Sequence, residues 1–207
     1  MIGLWGELRL LHRMIGMARN PHEQTVCLEA YQSASVHCRD FMFQQTRRGI
    51  DAKATTQTER RHMINSTDQV TNPVGGSTFL CSIMIRPVGP SEGFTVLDLI
   101  DMISADLSNE NVHAFQALVA SLDLDRTQCG EQAYLERQDR PTRLVPDHLV
   151  PGVEAYIPRP LGVDPHPWPI RLDEVGLEGL ELNEALCRWI QEEALAAETQ
   201  GGHSSAE

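Results

Sequence analysis

Lysine is almost missing from this chain. Lys53 stands alone against sixteen arginines, a skew that reads as the codon usage of a GC-rich genome and points to no function directly. Aromatic residues are also few, at 5%, so a core has to be built from Leu, Ile, Val, Ala and Met. The five cysteines (Cys27, Cys38, Cys81, Cys129 and Cys187) are odd in number, widely spaced and never in a C-x-x-C pair. That excludes a disulfide scaffold and fits reduced thiols in the cytoplasm. No apolar run approaches the roughly 20 residues that span a bilayer. The opening "MIGLWGELRLLHRMIGMARN" is interrupted by Glu7, Arg9, His12 and Arg13 and carries no signal-peptide core. A phosphate-binding loop is missing too: in "NPVGGSTF", Gly75 and Gly76 precede a strand-like run, whereas such loops follow a strand and open a helix.

What is abundant is acid. The formal net charge is -12 over 207 residues. Residues 1–75 hold seven acids and nine bases, while residues 76–207 hold twenty-two acids and eight bases. A segment that acidic repels phosphate backbones and anionic membranes and attracts basic surfaces. The expected partner is a basic protein surface, with no direct nucleic-acid or membrane contact and no cofactor.

The composition divides the chain. Residues 2–18 predict a helix, with Leu4, Leu8, Leu11 and Ile15 on one face. "EQTVCLEAYQSASVHCRDFMF" predicts a second. Between 44 and 77 almost nothing apolar recurs, so that stretch reads as irregular. This leaves 1–77 as a loosely structured N-terminal region. The shift in composition admits a natural start at Met63 or Met84. A globular body is expected over 78–198, followed by a disordered tail at 199–207.

Within that body, "TFLCSIMIRPV" predicts a strand covered on both faces. Thr95 and Asp98 form a capping-box pattern ahead of the stripe Val96, Leu99, Ile100, Ile103 and Leu107. Ser108 or Asn109 caps a second helix whose stripe is Val112, Phe115, Leu118, Val119 and Leu122. Together they predict an αα-hairpin over about 95–122. A short helix is expected near 131–138, and extended pieces at "TRLV", "VEAYI" and "PIRL". A last helix is expected from Asn183, with Leu186, Trp189, Ile190 and Ala194 on one face. The fold class is α+β: the hairpin and the C-terminal helix packed with a few short strands, and the N-terminal third largely irregular.

Four constellations carry residue types suited to chemistry. His22, Cys27, His37 and Cys38 have zinc-compatible donors, but adjacent His37 and Cys38 diverge by about 100° on a helix. Cys129, with His148 or His166 downstream, supplies the residue types of a thiol hydrolase without a local signature. Asp98 and Asp101 can share a helix face and, with Asp106, Glu110, Asp123 and Asp125, could bind a hard cation or act in acid/base work, but Asp98 is better explained as a cap and the others as a solvated face. "PRPLGVDPHPWPIRL" is held extended by its prolines. The stretch reads as a strap anchored on its own domain by Trp168, as a contact offered to a partner by Trp168 beside His166, or as a lid over a site. The reading that follows is a non-catalytic acidic interaction module of bacterial or phage origin, of the immunity, chaperone or inhibitor type. Partner-binding candidates are Trp168, His166, Asp98 and Asp101. A cysteine-dependent hydrolase and a metal-binding protein are the alternatives.

Overall fold

The computed structural model describes residues 1–32, 39–64, 69, 72, 74–150, 168–172 and 175–201. The α+β class holds. Two helices open the chain, α1 (Ile2–Met17) and α2 (Pro21–Ala30), followed by β1 (Phe41–Phe43), β2 (Arg48–Thr55), β3 (Arg61–Ile64) and β4 (Ser77–Val88). Then come α3 (Val96–Asp106), α4 (Asn109–Ser121), α5 (Arg126–Glu131), β5 (Ala133–Glu136) and β6 (Arg143–Pro146). The chain closes with β7 (Trp168–Arg171), β8 (Leu177–Glu178) and α6 (Gly179–Gly201).

The main sheet runs β1-β2-β4-β6-β8, with β5 pairing to the far half of β4. β1 and β2 form an antiparallel hairpin, and β2 pairs parallel with β4 over eight residues, from Arg48↔Ser77 to Thr55↔Met84. A second, two-stranded sheet joins β3 to β7.

Strand alternation sorts the two faces of β4. Cys81, Ile83 and Ile85 belong to the large core with α1, α2, α3 and α6. Leu80 belongs to a smaller core with Ile64, Val145, Val150, Ile170 and Leu172, which lies under the β3–β7 sheet. Both faces of β4 are therefore covered, as its dense apolar run requires.

Helix α1 is amphipathic as its spacing implies: Leu8, Leu11 and Ile15 are buried, together with Trp5, whose indole Nε1 donates to Phe94 O at 2.8 Å. The α3 cap is the expected capping box. The Asp98 N–H donates to Thr95 Oγ1, and Asp98 Oδ2 accepts from the Thr95 N–H. Leu186, Trp189, Ile190 and Ala194 of α6 are buried.

Several elements differ from expectation. Order begins well before Thr78: α1 supplies much of the large core, and β2 lies between β1 and β4, so no break in the sheet falls at residue 77. Small residues explain why 48–55 reads as irregular, since Gly49, Ala52 and Ala54 carry little apolar signal although Gly49 and Ala52 are buried. α2 stops at Ala30, and Phe41–Phe43 is strand rather than helix. The short helix lies at 126–131, with a strand at 133–136. α6 begins at Gly179, four residues before Asn183.

Candidate functional site

The β1–β2 hairpin brings two acids face to face. Its register pairs Phe41 with Ile50, and one step further places Asp40 opposite Asp51. Asp40 Oδ2 accepts from the backbone N–H of Ala52 at 2.7 Å, which anchors the carboxyl group beside β2 just before β1 begins. Asp51 is buried, and its Oδ2 lies 2.8 Å from Lys53 Nζ. Two residues apart on a strand, Asp51 and Lys53 share a face, and Ala52 between them turns into the large core. Parallel pairing sets Leu80 beside Asp51 and Ser82 beside Lys53. The acid–lysine pair thus sits on the face toward the smaller core.

A third carboxylate stands nearby on α1, where Tyr31 Oη donates to Glu7 Oε2 at 3.0 Å. Glu7 follows Gly6, and Gly6 permits a close approach: a Cβ there would lie 2.8 Å from Ala54 Cβ.

Burial and like charge act together on the acids. Burial, then the charges of Asp51 and Glu7, push the Asp40 carboxyl up to about 8. Burial also raises Asp51, while the Lys53 ammonium beside it pulls the other way. Two close, buried carboxylates resist simultaneous ionisation.

The hairpin is held from behind by α6. Glu193, buried, accepts from the backbone N–H groups of Gln45 and Thr46 at 2.7 and 2.8 Å, and Arg48 pairs with Glu192. Arg39 packs across Gly49, where a Cβ would collide with Arg39 Cδ, and its Nε donates to Thr78 Oγ1.

Hard oxygen donors on two groups of like charge suit a magnesium-type ion, which takes one or two carboxylates and completes its shell with water or substrate phosphate. The donor set at Asp40 and Asp51 fits such an ion. Among the described residues no group of three or more His, Cys, Asp or Glu side chains is gathered closely enough to hold a metal by itself.

The residues singled out from sequence lie elsewhere and are not brought together. Cys129 is buried in α5, its thiol raised by burial and by Asp125. His148 sits in the 3-10 turn Asp147–Leu149, largely exposed and facing Asp147. No hydrogen bond joins Cys129 to a histidine among the described residues. His22 on α2 is half-exposed near Ala194 O and Glu198, while Cys27 is fully buried with its thiol pushed up by burial. Asp98 is committed to its cap, and Asp101 is exposed on α3. The backbone of Trp168 pairs with Ile64 in the β3–β7 sheet. His37, Cys38 and His166 lie outside the described residues, as does 151–167 of the proline-rich stretch. Among the described residues no helix is long and apolar enough to cross a membrane.

Sequence reasoning missed Asp40, Asp51 and Lys53. The available signal was Lys53 itself: with a single lysine, an acid two residues before a lysine can occur at one place only, and Asp51 stands there.

No curated protein and no solved structure matches this chain significantly. Residues 1–146 match the family model described as "Putative PD-(D/E)XK family member, (DUF4420)". The match runs from α1 through β6 and spans more than half of the 207 residues. The (D/E)-x-K of that description is met by Asp51-Ala52-Lys53. The first acid is met in space by Asp40, which follows Arg39 rather than proline. A literal Pro-Asp occurs at Pro146-Asp147, but it lies after the D-x-K in the chain, at the end of β6. The match overturns the expectation of a non-catalytic interaction module, which rested on charge and size, two properties that a member of this family can share. By this match and by the acid pair and lysine that its name describes, the chain belongs to the DUF4420 family of PD-(D/E)XK-type proteins.

Proposed function

We propose that the chain is a phosphodiester hydrolase acting on nucleic acid, with Asp40, Asp51 and Lys53 as its reactive centre. The observation that carries this reading is the register of the hairpin, which sets Asp40 opposite Asp51 and leaves Lys53 on the same face. Asp40 and Asp51 would hold a divalent cation. The chemistry that such a cation supplies when bound is polarisation of a phosphoryl oxygen and acidification of a water.

The remaining work falls to the protein's own side chains. Lys53 presents an ammonium with three donors and no acceptor. It suits an anionic phosphoryl oxygen, and its ion pair with Asp51 fixes where it points. The Ala52 N–H holds Asp40 in place, so little reorganisation is needed when charge develops nearby. Glu7 adds a carboxylate from α1, oriented by Tyr31 Oη.

The acidic balance of the whole chain does not argue against a nucleic-acid substrate at this position. The surplus acid lies in residues 76–207, whereas Asp40, Asp51 and Lys53 come from the part in which bases outnumber acids. On the β3–β7 sheet above the same face, exposed Arg61 and Arg171 converge on one acid, Glu59.

The test is cleavage of duplex DNA, single-stranded DNA and RNA with millimolar Mg2+ or Mn2+. Wild-type protein should cut at least one of them, and Asp51→Ala protein and chelator should abolish cutting. If the wild type cuts none of the three, or if Asp51→Ala cuts equally well, the proposal is wrong.

A further inference from the structure

A cleft of about 500 Å³ opens on the other side of the main sheet, between α1, the β5–β6 connection and the start of α6. Its floor is an unequal charge cluster. Arg9 Nε donates to Glu136 Oε1 at 2.6 Å, and Arg13 Nη2 donates to Glu136 Oε2 at 3.0 Å. Thr142 Oγ1 donates to the same Oε2 at 2.8 Å. One carboxylate is therefore saturated by three donors, while two guanidinium charges share it.

The donor count leaves a surplus. Arg9 Nη1 is engaged with His12 Nδ1 at 2.9 Å, and His12 Nε2 lies 3.0 Å from Asp106. That leaves Arg9 Nη2, together with Arg13 Nε and Nη1, without a hydrogen-bond acceptor among the described residues. The side-chain amides of Gln138 and Asn183 line the same cleft and also lack one there. Both arginines keep only about a quarter of their side-chain surface exposed. These free N–H groups line an open cleft, where an anion can replace the water that otherwise answers them. Glu136 itself reports a positive surrounding: its carboxyl is lowered although burial opposes this. In a chain of net charge -12, this cleft concentrates cationic donors.

We infer that the Arg9–Arg13 cleft binds a small phosphate-bearing ligand of the nucleotide class. Guanidinium N–H groups match phosphate oxygens in pairs, and a cavity of a few hundred Å³ is of nucleotide size. Met17, Leu135 and Pro141 give it an apolar wall on which a base can lie.

The site is separate from the proposed hydrolytic centre, so the test needs no activity. Calorimetry at low salt in chelator measures binding of pyrophosphate, adenosine 5′-monophosphate and a 12-nucleotide single-stranded DNA. The wild type should bind pyrophosphate and the nucleotide, and Arg13→Gln should weaken both about tenfold, the loss of one charge-assisted contact. Glu136→Gln should tighten both several-fold, because it releases two guanidiniums from the one carboxylate that they share among the described residues. A merely structural role for the cluster would not produce tightening, and this arm remains informative even if Arg13→Gln fails to fold. Arg188→Gln, exposed on α6, serves as the neutral control. Absence of binding at millimolar ligand, or affinity unmoved by Glu136→Gln, overturns the inference. Binding of the oligonucleotide without the mononucleotide overturns the assignment to a small ligand.

Discussion

Asp40→Asn should make the protein more stable and inactive at once. The amide oxygen of the new side chain can still accept from the Ala52 N–H, so the anchor seen at 2.7 Å survives. Only the ability to ionise is lost. In the native protein the Asp40 carboxyl is pushed up to about 8, first by burial and then by Asp51 and Glu7; in the unfolded chain it returns to about 3.9. Between those values the native state holds a proton that the unfolded state has released. Stability associated with Asp40 is therefore full below about pH 4 and is lost as pH rises to about 8. At about 1.4 kcal/mol per pKa unit, the handicap grows from about 1–2 kcal/mol at pH 5 to about 4 kcal/mol at pH 7. The Asp40→Asn protein, neutral at this position, escapes it. Urea unfolding of both proteins in chelator, at half-unit steps from pH 5 to 8.5, measures the difference. The curves should diverge with rising pH, with Asp40→Asn above. Curves that stay parallel, or a variant less stable than wild type at every pH, would refute the electrostatic account of the pair.

Lys53→Met should fold, because the stem is already largely covered, yet cleavage should fall by at least about 100-fold in a gel assay, the scale of losing a preorganised charge at a reaction centre. Gly6→Ala should cost about 1–3 kcal/mol in thermal unfolding despite the better helix former, since its Cβ would meet Ala54 Cβ at 2.8 Å. Of the described cysteines, only Cys187 should react promptly with a thiol reagent. Cys27, Cys81 and Cys129 are buried and their thiols raised, Cys81 to about 12. Fast labelling of Cys129 would revive a thiol mechanism.

The sequence was most legible where apolar spacing was dense. The α3 cap and stripe, the two-faced β4 and the buried face of α6 all follow from periodicity, because each element buries large side chains at regular intervals. The hairpin that carries the site was illegible for the same reason. Its strands bury Gly49 and Ala52 along with charged Asp51, none of which registers as apolar. Glu193 likewise reads as a solvated position on α6, although it binds two N–H groups of the hairpin turn. What holds Asp40 against Asp51 is register and long-range hydrogen bonding, and neither leaves a local pattern. The one local trace, a lone lysine two residues after an acid, looked like genome composition.

That lone lysine shapes how the molecule can be handled. Amine-directed chemistry finds a single side chain in this sequence, Lys53. Lys53 is mostly covered, with 16% of its side chain exposed. Coupling to a sensor surface through a side-chain amine should therefore be slow at mild pH. Forcing conditions would consume the lysine of the proposed centre, and a silent sensorgram would then describe the coupling, not the protein.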